Sequence, residues 1–167
     1  METAWFAASQ TGGLTEQGDP RRKAEITLNV FLDSSALAKR YVEEKGSDRV
    51  DAILSAAAAL GVSVICLPEV VSSLCRRRRE RRLSKDQYVD AKRSLFFDLE
   101  DASVFGMTDQ VIARTVELLE RWPLRSADAL HIACAAEWSA QSFVSADGRQ
   151  CRAARAYGLR VEELKPE

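Results

Sequence analysis

The chain has a single histidine, His131. A Ser-His-Asp or Cys-His hydrolase would have to use it, and no partner nucleophile is evident, so that reading is set aside. Cysteine is also scarce. Cys66, Cys75, Cys134 and Cys151 are the four, and no two share the close Cys-x-x-Cys spacing of a zinc site or redox pair. Cys66, Cys75 and Cys134 fall among apolar residues and are expected as small core residues, which points to a reducing, cytoplasmic setting. No run approaches the ~18 apolar residues of a membrane span, and no basic stretch followed by an apolar one opens the chain as a secretory signal would. Charge of one sign is missing too: 24 Lys and Arg face 25 Asp and Glu, for a net charge of −1. The whole molecule therefore does not advertise nucleic-acid binding, and attraction to a polyanion must come from a local patch.

The 167 residues point to one domain. A chain of this size buries roughly 70% of its unfolded surface, so it needs no disulfide or zinc staple. Residues 9–23 are polar and rich in turn formers, and read as a flexible tail. The expected division is an N-terminal extension over 1–25, in which Trp5 and Phe6 are the apolar side chains available to dock, one domain over 26–163, and a short tail over 164–167.

Strand and helix signals alternate. Ile26–Leu32 is a β-rich run ending at Asp33. Ser34 or Ser35 is expected to cap a helix to about Glu44, and Asp48–Leu60 to form a second helix with an Ala-rich end that Gly61 terminates. Val62–Leu67 is the next strand, and Pro68 suits the first turn of a helix carrying Glu69. Ser84-Lys-Asp-Gln87 is a capping box that opens a helix to about Leu99. Ala102–Met107 is a short strand, Thr108 caps a helix to about Trp122, and Ser126 caps one over 127–138. Ser142–Ser145, a helix over 148–157 and a last strand at Leu159–Val161 complete the pattern. Such alternation predicts an α/β three-layer sandwich with a mainly parallel central sheet.

Four acids stand where strands or loops meet helices: Asp33, Glu69, Asp128 and Asp147. Three have apolar or small neighbours, where an unpaired charge is costly. A divalent cation shared among them would remove that cost, and oxygen clusters holding Mg²⁺ or Mn²⁺ serve phosphoryl chemistry. In an open parallel sheet the ligand crevice lies beyond the carboxyl ends of the strands. Asp33, Glu69 and Asp147 follow strands, so they converge there; Asp128 joins them if its helix points its N-terminus at that edge. Taken singly, each acid has a plainer role, as a helix cap, a helix-dipole partner or a turn residue. His131, three residues after Asp128, lies on the same helical face and is placed either to tune that carboxylate or simply to pack.

The stretch Leu32-Asp33-Ser34-Ser35-Ala36-Leu37-Ala38-Lys39-Arg40-Tyr41-Val42 resembles the opening of a PIN domain of the VapC toxin type. Pro68-Glu69-Val70, Arg125–His131 and Phe143–Asp147 resemble that family's later motifs, in order. The resemblance implies a magnesium-dependent endoribonuclease, with Asp33, Glu69, Asp128 and Asp147 as catalytic and metal-holding acids. It implies supporting roles for Ser34 and Ser145, and matches Lys39 to a basic residue of no firm role. It further implies an RNA substrate, a homodimer and an antitoxin that blocks the crevice. Gly148 departs from the bulkier residue common at its position, which loosens the expected loop around Asp147.

Residues 76–82 place six arginines in seven positions. Arg76, Arg77, Arg79 and Arg82 are candidates for tracking RNA phosphates; a solvated helix end, where cations complement the dipole, is the plain alternative. Apolar stripes at Ile53, Leu54 and Leu60, and at Val111, Val116, Leu118 and Leu119, read as core with some surface left for a dimer. The rival to the nuclease is a non-catalytic PIN scaffold that binds RNA or protein. A phosphoacceptor receiver domain would want paired acids after the first strand, and a haloacid-type phosphatase would want Asp-x-Asp where Asp33-Ser34-Ser35 stands. Flap nucleases carry DNA-gripping elements for which this chain has no room.

Overall fold

The computed structural model describes residues 28–164. The expected extension over 1–25, the strand start at Ile26 and the last residues of the tail lie outside them. The elements are β1 (Leu28–Leu32), α1 (Ser34–Leu37) with a 3-10 turn (Ala38–Arg40), α2 (Ser47–Ala56), β2 (Ala57–Ser63), α3 (Cys66–Arg79), α4 (Lys85–Glu100), β3 (Ser103–Phe105), α5 (Asp109–Arg121), α6 (Ser126–Glu137), β4 (Ser142–Ser145), α7 (Gly148–Ala156) and β5 (Val161–Glu163). The five strands form one sheet in the order β3-β2-β1-β4-β5, and every pair is parallel. The α/β sandwich with a parallel sheet is what the alternation predicted.

Side chains on a strand alternate between faces, and β1 shows it. Val30 and Leu32 join the cluster built from α1 to α4, whereas Phe31 joins the cluster of α5, α6 and α7. Helices therefore cover both faces, as a parallel sheet requires. Leu164, expected in the tail, is buried in the first cluster, and its N–H donates to Ser145 O at 2.9 Å.

Several boundaries move. Ala57–Leu60, expected at the end of a helix, is the first half of β2, in register with Leu28–Val30 of β1. Alanine's helix preference is a weak prior that a strand partner overrides. Gly61 therefore terminates no helix. It sits mid-strand, where an added Cβ would lie 2.6 Å from the Trp138 ring and 2.9 Å from Phe31. The expected strand over 62–67 ends at Ser63, and Cys66 already opens α3, with Pro68 in its first turn. The helix after Asp33 stops at Leu37 and tightens into the 3-10 turn rather than reaching Glu44. Its cap is Asp33 itself, which accepts the Ala36 N–H at 2.8 Å, not Ser34 or Ser35. Ser126 likewise is the first residue inside α6. The third strand is shorter than expected, and the last begins at Val161 rather than Leu159. The caps at Ser84 and Thr108 form as predicted.

Candidate metal centre

The strand order reverses direction at β1. The chain leaves it through β2 to β3 on one side, then returns with β4 on the other. A crevice opens where such a sheet switches, beyond the carboxyl ends of the central strands. Asp33 follows β1 directly and Asp147 follows β4 by two residues. The Asp33 N–H donates to Val144 O at 3.1 Å, which ties the two strand ends together.

Asp33 is only 4% exposed. Ser35 Oγ lies 2.9 and 2.8 Å from its two oxygens, and Ser145 Oγ is 2.9 Å from Oδ2. Burial pushes its carboxyl above the ordinary range, against the pull of His131, the Ala36 N–H and the two serine hydroxyls. Ser145 also accepts the Asp147 N–H at 3.0 Å. Asp147 caps α7, accepting from Arg149 N at 2.8 Å and Gln150 N at 3.2 Å. Gly148 opens that helix, and a Cβ there would press to 3.3 Å from Glu163 Oε1. Buried Gln150 lies 2.9 Å from Ser145 Oγ through Oε1 and donates from Nε2 to Asp128 O at 3.1 Å. This one side chain links β4 to the first turn of α6, which brings Asp128 to the same edge. Asp128 is half-buried, and burial raises its carboxyl; the hydrogen bond from the Arg125 N–H opposes this, and the charge of Asp147 adds to it.

Glu69 lies in the first turn of α3, where the helix dipole favours an anion. Its Oε2 is 2.5 Å from Ser34 Oγ and 2.8 Å from His131 Nε2. The His131 hydrogen bond, helped by Ser34, outweighs burial and holds this carboxyl below the usual range. The expected tie between His131 and Asp128 is not a hydrogen bond; the ring bonds to Glu69. Ser34, expected beside Asp33, serves Glu69, and it is Ser35 that holds Asp33. A hydrolase triad is not what results. Ser34 and Glu69 share Nε2, while Nδ1 faces Ser63 at 3.0 Å, whereas a triad sets nucleophile and acid on opposite nitrogens. Ser35 was expected only as a helix cap, and Gln150 and Ser63 were not expected at the site at all. Ser35 had a signal, two residues after a capping Asp, but nothing local marks a buried Gln or Ser reaching across the fold.

Lys39 is drawn away from the acids. Its Nζ lies 3.2 Å from Glu44 Oε1 and 2.9 Å from Lys45 O. Arg77 meets the other Glu44 oxygen at 2.6 Å. Burial works against ionising Glu44, but Arg77 and Lys39 outweigh it and hold the carboxyl down. Arg78 stacks on Tyr88, and Arg82 leans 3.7 Å from Glu80. Arg76 and Arg79 stay exposed.

The donor set fits a hard divalent cation. Its members are carboxylate oxygens, two of them raised by burial, and Mg²⁺ takes one or two carboxylates together with water. Among the described residues, however, no three His, Cys, Asp or Glu side chains already stand at metal-binding spacing.

Known proteins agree with this geometry in fold. VapC20 of Mycobacterium tuberculosis, a sarcin–ricin loop cleaving toxin, is similar with a TM-score of 0.61 at 19% identity, over 83% of this chain and 100% of that one. VapBC2 of Rickettsia felis, bound to a DNA fragment from its promoter, gives 0.60 at 14% over 84% and 100%. A toxin–antitoxin complex from Klebsiella pneumoniae gives 0.54 at 13% over 71% and 87%. No curated protein matches the chain in sequence. The family model of the PIN domain matches residues 30–156, and on that span, with the parallel sheet and its acidic edge, the chain belongs to the PIN domain family.

Proposed function

We propose that the chain is a metal-dependent endoribonuclease, the toxin of a toxin–antitoxin pair, working with Mg²⁺ or Mn²⁺. The observation that carries this reading is the acidic edge at the switch point. Asp33 is buried with its carboxyl raised, and Asp128 is raised with Asp147 repelling it. Such a charge arrangement is costly alone and is relieved by a divalent cation. Asp33, Glu69, Asp128 and Asp147 would hold that cation. When bound, it supplies the charge that activates water and stabilises a leaving oxygen of the phosphodiester. The protein's part is orientation. Ser35, Ser145 and the Ala36 N–H fix Asp33, Gln150 ties Asp128 to β4, and Ser34 with His131 holds Glu69.

Arg76 and Arg79 are the arginines of the run best placed to meet RNA phosphates, with Arg82 beyond them; Arg77 is already committed to Glu44. Similarity to VapC20 and to toxin–antitoxin complexes supports the toxin reading and an antitoxin partner. The exposed stripe Ile112, Val116 and Leu119 on α5 suits a homodimer. Four free cysteines suit a reducing cytoplasm, and among the described residues no helix is long and apolar enough to cross a membrane. The proposed domain runs from 26 to 164, since Leu164 packs in the core.

The test is digestion of a mixed RNA pool by wild type and Asp128→Asn, with Mg²⁺ and with chelator. Discrete fragments should need both metal and Asp128, and Asp128→Asn should lose activity by more than ~100-fold, since even outer partners of metal ligands cost 10–100-fold. The variant should still melt cooperatively; loss of the melt would make Asp128 structural. The absence of a ready three-ligand group among the described residues favours a second reading, a non-catalytic scaffold binding RNA or protein. It gains if a well-folded wild type cuts nothing.

A further inference from the structure

His131 is 2% exposed, and a buried imidazole needs partners for both ring nitrogens. Nε2 lies 2.8 Å from Glu69 Oε2 and 3.0 Å from Ser34 Oγ, while Nδ1 lies 3.0 Å from Ser63 Oγ. The Glu69 side chain is part-exposed, and a carboxylate at neutral pH is ionised and can only accept. The Nε2 proton is therefore the one this contact requires. Ser34 does not compete for it as a donor to the ring, because its hydroxyl donates to Glu69. In a neutral ring Nδ1 must then accept, and the group facing it is the Ser63 hydroxyl. Ser63 closes β2 and is 1% exposed. Its side chain makes no other hydrogen bond among the described residues, so its proton is free for Nδ1. The partner of one ring nitrogen decides what the other can do.

We propose that the buried Ser63 hydroxyl, donating to Nδ1, locks in place the His131 ring whose Nε2–H the Glu69 contact requires, so that the pair positions the Glu69 carboxylate at the mouth of the acidic crevice. Glu69 has reason to need it. Its side chain is 38% exposed and would otherwise sample several rotamers, at an ordering cost on binding. Ser63 touches neither crevice nor solvent and is a positioning residue acting through His131. The assignment of Glu69 to a cation site rests on the nuclease reading; the tautomer and its lock do not.

The single histidine makes the test clean. Long-range proton–nitrogen correlation of the imidazole in the full chain, at mildly alkaline pH, should show a protonated Nε2 and an unprotonated Nδ1. Ser63→Ala should keep the Nε2–H that Glu69 requires but shift the Nδ1 resonance toward that of an acceptor nitrogen without a hydrogen bond, and Ser63→Thr should restore it; an Nδ1 signal unmoved by Ser63→Ala would overturn the Ser63 contact. Mn²⁺ affinity, read from water-proton relaxation, should weaken about 10–100-fold in Ser63→Ala and recover in Ser63→Thr. A wild-type Nδ1–H ring, an imidazolium or an averaged pair would overturn the lock. Unchanged Mn²⁺ affinity in Ser63→Ala would overturn the positioning of Glu69. A wild type that binds no Mn²⁺ would instead sink the nuclease reading and leave the tautomer arm to judge the lock.

Discussion

Asp33 carries two jobs in one side chain. It caps α1 through the Ala36 N–H and presents a buried charge at the end of β1. The capping role was the plain alternative for this residue; the cap forms, and a carboxylate has further lone pairs for the proposed cation. Its raised carboxyl has a consequence for stability. An acid whose folded value lies above its unfolded one favours the fold at low pH, below the ordinary value of 3.8, and loses that contribution as pH rises through the raised value. At neutral pH without metal, holding this carboxyl in its buried place opposes folding. Asp33→Asn keeps an acceptor for the cap and removes the charge. It should therefore raise Tm at neutral pH in chelator by a few degrees, the size that about 1 kcal/mol produces in a chain of this length. The gain should shrink on acidification, and added Mg²⁺ should raise Tm of the wild type but not of the variant. Thermal melts across pH check each part; a Tm that falls in Asp33→Asn at neutral pH would contradict the charge argument. At this scale the acids were legible because each follows a strand or opens a helix. Their partners were not: Ser63 and Gln150 meet His131 and Asp128 only through the fold.

Elements were legible where local chemistry decides them. The capping box at Ser84 and Gln87 satisfies two N–H groups at the helix start from side chains three residues apart. They were misread where a distant partner decides, as at Ala57–Leu60, which pairs with β1. Gly61 makes the difference measurable. As a helix stop it would tolerate alanine poorly only for its backbone angle; in β2 it must leave space for Trp138 and Phe31. Gly61→Ala should cost about 1–3 kcal/mol by overpacking, read by urea denaturation, and a neutral result would mean the Trp138 ring swings away freely. The arginine run on α3 divides in the same way. Arg77→Ala should destabilise the fold, because Arg77 meets half-buried Glu44 at 2.6 Å. Arg76→Ala and Arg79→Ala should leave the melt unchanged and each lower the salt dependence of RNA binding by a slope of about 1. Equal salt slopes in wild type and both variants would return these arginines to the role of a solvated helix end.

At the scale of the whole molecule, the near-neutral total charge and the acidic edge oppose each other unless a cation intervenes. An RNA phosphate approaching Asp33, Asp128 and Asp147 meets repulsion, and net charge offers no general attraction to offset it. The parallel sheet explains why these acids share one edge, since strand ends separated by more than a hundred residues face one crevice. The central claim is that four carboxylates from four segments form one divalent-cation site. Mn²⁺ titration of the wild type and of Asp33→Asn, Glu69→Gln, Asp128→Asn and Asp147→Asn, read by water-proton relaxation, tests it without needing the RNA target. The account predicts saturable binding by the wild type and a loss of at least ~10-fold in affinity in every variant. Wild-type affinity in two or more of them would contradict a shared site.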